Sequence, residues 1–341
     1  GFPSDTWYVF NRLRTDMNPK NLGHLYSYDD REVVRIHNDG KADLILQELE
    51  LSDPSAFAFQ KRDFENLPIT IKPGDYYDLF LVFLKSEGFW REAEGVYQSN
   101  LVIETNAGTQ SVLLSGHYQL RPEGSWEPDV SEIDELFGFS CGVPAGKLPM
   151  VYPTRSAEDS SDYGPIVVSE YWEQADPAKP VNVMFIYALG GGGHPNLKFL
   201  DEKDEIVGGV DFQVNGRRVI NGENVWVCQT VFPAEEDNPG RVVGASVDRV
   251  EKPFRLSISN RTTSGTGPVD PITGKPATLA FLFFPITSKR SSIHQPNDYM
   301  IAFDVVPVNG SHANGDFNDY MLYISNVRPK DGKPELDWAS R

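Results

Sequence analysis

Short apolar runs cut by turn-forming residues, rather than long amphipathic stretches, organise this chain from Glu32 onward. Val33-Val34-Arg35-Ile36 stops at His37-Asn38-Asp39-Gly40, a turn built from residues that tolerate positive φ. Leu44 to Leu51 stays apolar with one slip of phase, as a β-bulge gives. Ile69-Thr70-Ile71 meets a second turn at Lys72-Pro73-Gly74-Asp75, and Tyr77, Leu79, Leu81 and Phe83 then alternate as a strand with one buried face. Leu101 to Thr105, Asn106-Ala107-Gly108 and Gln110 to Gly116 read as a closing hairpin. About seven short strands in some ninety residues, each bounded by turn signals, predict an immunoglobulin-like sandwich over 31–120.

Residues 1–30 carry no clean period and read as a lead-in segment, with a strand at Thr6 to Phe10 and then a linker. Residues 121–145 form a linker with a short helix. Val130, Ile133, Leu136 and Phe137 fall at helical spacing, acidic residues precede them, and Gly138 supplies a stop. The helix is expected to cap a second core. From 146 to 330 strands resume at 166–168, 181–187, 225–227, 254–258, 279–284, 300–303 and 320–324, and no helix-length pattern separates them. A larger β-sandwich is the economical reading, followed by a polar tail over 331–341. The fold class is therefore all-β: an immunoglobulin-like sandwich, a short helix at the junction, and a larger β-sandwich.

Composition narrows the function. Thirty-one Lys and Arg face 49 Asp and Glu among 341 residues, a formal net charge of −18. Nucleic-acid binding is disfavoured, because phosphate neutralisation needs clustered cations, and anionic membrane surfaces are disfavoured likewise. No apolar run is long enough for a transmembrane helix, so no membrane insertion is expected. The opening Gly-Phe-Pro-Ser-Asp has neither a charged start nor an apolar core, so no signal peptide is expected and the chain reads as an excised or mature piece. Cys141 and Cys228 are compatible with one disulfide or with two buried thiols, and neither lies at zinc-ligand spacing.

The densest polar chemistry is near the end. Four aspartates and three asparagines lie between residues 298 and 319, and Gly315-Asp316-Phe317-Asn318-Asp319 follows a strand that ends in Asp304. Ca²⁺ takes six to eight oxygens from carboxylates, amide side chains and carbonyls. A hairpin that sets Asp304 opposite the turn brings together carboxylates that repel unless a cation neutralises them. Asp304, Asp316, Asn318 and Asp319 are thus the candidate calcium ligands. The spacing is not that of an EF-hand.

Two resemblances join these readings. Ile36 to Leu44, Ile69 to Gly74 and Leu113-Leu114-Ser115-Gly116 resemble the ASPM/SPD-2/Hydin-like immunoglobulin modules. That resemblance implies a spacer or interaction module without catalysis of its own. Phe303-Asp304, the Gly315 to Asp319 turn and the closing Tyr320 to Ile324 strand resemble the end of the DUF4114 domain of bacterial exported proteins. Asp304 stands where that family usually has Glu, and the loop between is longer. This second resemblance implies a calcium-supported sandwich in an adhesin-like or polysaccharide-associated protein.

For a glycan or polysaccharide partner, Tyr163, Tyr171, Trp172 and Trp226 are the candidate stacking aromatics. Other chemistry finds little footing. Gly190 to Gly193 lacks the Lys-Ser/Thr ending and the helix of a phosphate loop. The histidines are never paired at ligand spacing, no nucleophile elbow occurs, and Glu170 with Glu173 is a weak candidate acid/base pair. The expectation is a non-catalytic, exported, extracellular or cell-surface binding protein, monomeric within a larger multidomain protein. Its alternative is an adhesin-like structural module without glycan binding.

Overall fold

The computed structural model describes residues 3–14, 26–60, 66–85, 94–119, 127–146, 165–167, 169–188, 195–212, 216–220, 223–227, 230–232, 244–258, 261–263, 280–287, 297–304 and 317–330. Its first half holds β1 (Trp7–Arg14), β2 (Tyr26–Asp29), β3 (Arg31–His37), β4 (Leu44–Leu51) and β5 (Phe57–Phe59). Then come β6 (Ile69–Ile71), β7 (Tyr76–Phe83), β8 (Gly95–Thr105) and β9 (Gly108–Gln119). One sheet runs β2-β1-β9-β8-β4-β6 and the other β3-β7-β5. Between them lies a core of Phe10, Val34, Leu46, Phe57, Leu81, Phe83, Leu101 and Leu114. Phe57 and Phe83 pack with ring centroids 5.1 Å apart.

The local expectations match closely here. The phase slip in β4 is a register shift against β8 between Leu46 and Glu48. In β7, Leu79, Leu81 and Phe83 are buried while their neighbours are only half-buried. The Asn38 turn is fastened by its side chain, whose amide donates to the carbonyls of Ala42 at 2.9 Å and Ile71 at 2.8 Å. The lead-in strand β1 is integral to the larger sheet, lying parallel to β9 with Trp7 opposite Leu113 and Leu13 opposite Gln119.

The helix α1 (Val130–Phe137) spans the four apolar positions at helical spacing and ends before Gly138. The Glu132 carboxylate accepts the N–H of Asp129 at 2.8 Å, which satisfies one free donor of the first turn. Gly138 closes the helix in the left-handed region at φ 64°. Its packing differs from the expected cap on the second core. Val130, Ile133, Leu136 and Phe137 share one cluster with Trp7, Val9, Leu13 and Leu113 of the first sandwich and with Ile186, Leu282, Met300 and Met321 of the second. A helix this short has apolar residues on more than one side, so it fills the seam between two sheets rather than covering one.

The second half contains β10 (Trp172–Gln174), β11 (Val181–Ala188), β12 (Asn196–Leu200), β13 (Ile206–Asp211), β14 (Gly216–Ile220), β15 (Glu223–Val227) and β16 (Thr230–Val231). It continues with β17 (Gly244–Val247), β18 (Arg255–Ile258), β19 (Arg261–Thr262), β20 (Phe281–Pro285), β21 (Tyr299–Phe303), β22 (Tyr320–Ser325) and β23 (Val327–Pro329). The main sheet is β16-β11-β22-β21-β20, with β17 also on β11, and it faces β13-β12-β18-β19. Phe185, Phe199, Phe212, Phe254, Leu256, Ile301 and Leu322 fill the space between. Strands β20, β21 and β22 are buried along their whole lengths, because one face meets this core and the other meets the seam. The fold is all-β with a sandwich-like arrangement and one short helix among the described residues.

Candidate functional site

Asp304, Asn318 and Asp319 of the acidic segment lie among the described residues. β21 and β22 are antiparallel with Ala302 opposite Met321. Asp304, two residues past Ala302, and Asp319, two before Met321, therefore flank the same end of the hairpin. Phe303 also bridges Asn318 in parallel. Asp304 and Asn318 are 1% and 2% exposed, whereas Asp319 is half-buried. Phe317 occupies the left-handed region at φ 57° and plunges its ring into the seam. The Asn318 amide donates to the carbonyl of Pro128 at 3.0 Å, which ties the turn to the start of α1. Its Oδ1 is buried and accepts no hydrogen bond. A buried carbonyl oxygen left in this state costs about 1–3 kcal/mol, and a hard cation is one group that would satisfy it. Oxygen donors of this kind fit calcium in type. Asp316 lies outside the described residues, and among those described no three His, Cys, Asp or Glu side chains converge as a metal cluster.

Of the candidate stacking aromatics, the described side chains are those of Trp172 and Tyr171. Trp172 is fully buried, its ring stacked on Phe283 at 4.0 Å and edge-on to Tyr299 at 5.1 Å. This corrects its reading as a ligand-binding residue: β10 pairs with β23 and points the indole inward. Tyr171, half-buried, lies against the Arg255 guanidinium at 5.6 Å and the Lys330 ammonium at 5.5 Å. Trp226 sits in β15 opposite Arg217. Tyr163 and the Gly190 to His194 run lie outside the described residues.

Glu173 pairs with Arg328 at 2.6 Å and Glu170 lies 3.8 Å from Arg255. Cys141 is a free, buried thiol, and Cys228 lies outside the described residues. Burial and the neighbouring Asp134 carboxylate push the Cys141 thiol well above its usual range.

Sequence reasoning missed a cleft. The face of β11 that carries Ile186 and Met184 toward the seam carries Asn182 one step further, past the edge of the apolar cluster. An open cleft of about 800 Å³ is lined there by Asn182, Met184, Ser246, Asp298, Tyr323 and Asn326, among others. Asn182 stands opposite Ser246 on β17 and Ser325 on β22. Asp298 is 3% exposed and accepts the Tyr323 hydroxyl at 2.8 Å. Burial first, and then the Asp298 charge, raise the phenol of Tyr323 far above its usual range and that of Tyr299 to about 12. Asn326, at φ 62°, receives the N–H of Asp176 at 2.8 Å and donates to the carbonyls of Asp176 and Lys179 at 2.9 and 2.7 Å, which fixes one rim. The available signal was the polar Asn182 inside an otherwise apolar strand.

No protein-family model and no curated protein matches the chain. Among solved structures, the CupB2 chaperone of Pseudomonas aeruginosa is similar at 12% identity, over 67% of this chain and 86% of that one, with a TM-score of 0.22. The YadV chaperone is similar at 11%, over 95% and 96%, with a TM-score of 0.23. The CsuC–CsuE chaperone–tip adhesion subunit complex of Acinetobacter baumannii is similar at 11%, over 69% and 89%, with a TM-score of 0.19. At these values the fold rests on the chain's own strand pairing and burial.

Proposed function

We propose that this chain is a non-catalytic, exported binding module whose larger sandwich is braced by calcium and takes a glycan or surface polymer. The observation that carries the calcium part is the buried Asn318 Oδ1, which lacks a hydrogen bond beside the buried Asp304. Asp319 at the same hairpin end and Asp316 in the adjoining turn would complete a set of hard oxygen donors. The ion's chemistry here would be structural: it would neutralise carboxylates at this end of the hairpin. The net charge of −18 is compatible with a cation-rich extracellular setting. No helix among the described residues is long and apolar enough to cross a membrane.

The test is thermal unfolding with calcium and with chelator. A calcium-dependent rise in melting temperature, abolished by Asp316→Ala and by Asp319→Ala, is the expected result. An unchanged melting temperature at millimolar calcium removes the metal from the reading. A second reading, an adhesin-like structural module without glycan binding, is favoured by the burial of Trp172, which takes away a stacking platform. A glycan array probed with calcium present distinguishes the two.

A further inference from the structure

We infer that the cleft between β17, β11 and β22 is a saccharide-binding site for neutral, hydroxyl-rich sugar units; this rests on the glycan reading above and gives it a location. The cleft falls within the roughly 300–1,000 Å³ that small-ligand sites occupy. What distinguishes it is a pair of consecutive side-chain hydrogen bonds that run the same way across three strands. The Ser246 hydroxyl donates to Asn182 Oδ1 at 2.6 Å, and Asn182 Nδ2 donates to Ser325 Oγ at 3.1 Å. Two residues before Ser325 on the same strand, the Tyr323 phenol donates to the buried Asp298 at 2.8 Å.

The direction of this relay selects the ligand. Hydrogen bonds in series polarise one another. The open end is Ser246, whose hydroxyl hydrogen is committed to Asn182 and whose lone pairs face solvent on an exposed residue. It is therefore an acceptor waiting for a donor. Asn182 carries a second amide hydrogen beside the one given to Ser325 Oγ. Acceptor and donor project from opposed positions of β17 and β11, with the Ser246 hydroxyl 2.6 Å from the Asn182 amide oxygen, so both can reach hydroxyls of one sugar ring. Acceptor-only anions gain nothing from Ser246 and meet Asp298 and Asp176, against one ammonium from Lys179.

Part of the lining is apolar. Met184, Pro180 and Ala245 form it, and Gly244 approaches so closely that a Cβ there would lie 2.7 Å from Met184 Cγ. Sugar C–H faces would rest on these groups while the hydroxyls meet the relay. The Asn326 clasp fixes the rim beforehand, so little ordering entropy opposes binding.

The experiment is an array of neutral oligosaccharides and uronic-acid oligosaccharides, followed by titration calorimetry with the best-bound neutral trisaccharide. Ser246→Ala should weaken that binding about tenfold, the loss of one good hydrogen bond. Ser246→Tyr should abolish it by filling the cleft. Position 246 is exposed, and both variants should keep the wild-type melting temperature. Neutral binding that neither variant disturbs overturns the cleft assignment and leaves the glycan reading standing. Tighter binding of the uronic-acid oligosaccharides overturns the ligand class. No binding to any array member overturns both.

Discussion

The indole N–H of Trp7 donates to the main-chain oxygen of Leu136 at 3.0 Å, so the first strand is bonded to a helix 129 residues away. The same ring occupies the space beside Gly138, where a Cβ would fall 2.3 Å from Trp7 Cη2. Gly138 is thus required twice, once for its positive φ and once for this approach. Gly138→Ala should destabilise the protein by about 2–4 kcal/mol, combining left-handed strain with overpacking. Urea denaturation followed by tryptophan fluorescence measures it, and an unchanged midpoint would show that the seam is not packed as described. Because α1 belongs to a core shared by both sandwiches, the wild type should unfold in one transition rather than two.

His117 predicts a pH dependence. It is fully buried on the seam-facing side of β9, opposite Asn11 on β1, with its ring 6.4 Å from Tyr187, and burial lowers its pKa to about 4. Nδ1 makes no hydrogen bond. An imidazole in the unfolded chain titrates near 6.5. Between 6.5 and 4 the unfolded chain takes up a proton that the folded chain refuses, so this group's contribution falls as pH drops through that window and levels off below it. The full loss is about 3 kcal/mol. Equilibrium unfolding at pH 7, 5.5 and 4, with His117→Gln as the comparison, should show a slope that the variant lacks.

The strands in residues 31–120 were legible because each pairs an alternating buried face with a turn residue whose backbone role is local. Leu79, Leu81 and Phe83 announce a buried face, and the Asn38 turn announces an end. The helix was legible for the same reason, from Val130, Ile133, Leu136 and Gly138. What it packs against was not, since helical spacing tells which residues are buried and says nothing about how many partners bury them. Trp172 misled because aromatic content is the same in a core and on a binding face, and only the β10–β23 pairing decides which way the ring points. The cleft was hidden for a deeper reason. Asn182, Ser246, Ser325 and Asp298 converge from three strands and a loop, and register across strands has no signature in a single sequence.

Asn318 separates the metal from ordinary packing. Asn318→Asp keeps an oxygen at the buried position but removes the amide that donates to Pro128 and adds a negative charge. Without calcium it should lower the melting temperature, since a buried carboxylate then stands beside Asp304. With calcium it should gain more than the wild type does. A site filled at a hundred times its Kd adds about 2.7 kcal/mol, or roughly 4 °C for a single cooperative unit of 341 residues. Paired melts in calcium and in chelator measure the difference. An equal loss under both conditions would assign Asn318 to packing alone.

The thiol of Cys141 reports on opening of the seam. It is 1% exposed, its N–H is held by both oxygens of Asp134 at 3.0 and 3.1 Å, and its sulfur lies 3.9 Å from the Phe284 carbonyl. Burial raises the Asp134 carboxyl pKa as well. A thiol in such surroundings is inert, because the thiolate is the reactive species and is disfavoured beside a carboxylate in an apolar site. In a Cys228→Ser background, native protein at pH 8 should react with a thiol reagent at least about a hundredfold more slowly than urea-unfolded protein. Gly138→Ala should speed labelling in proportion to its loss of stability, since Gly138 packs against Trp7 of the cluster that buries Cys141. Fast labelling of the native wild type would mean that α1 detaches readily from the sheets, and the two sandwiches would then behave as separate bodies.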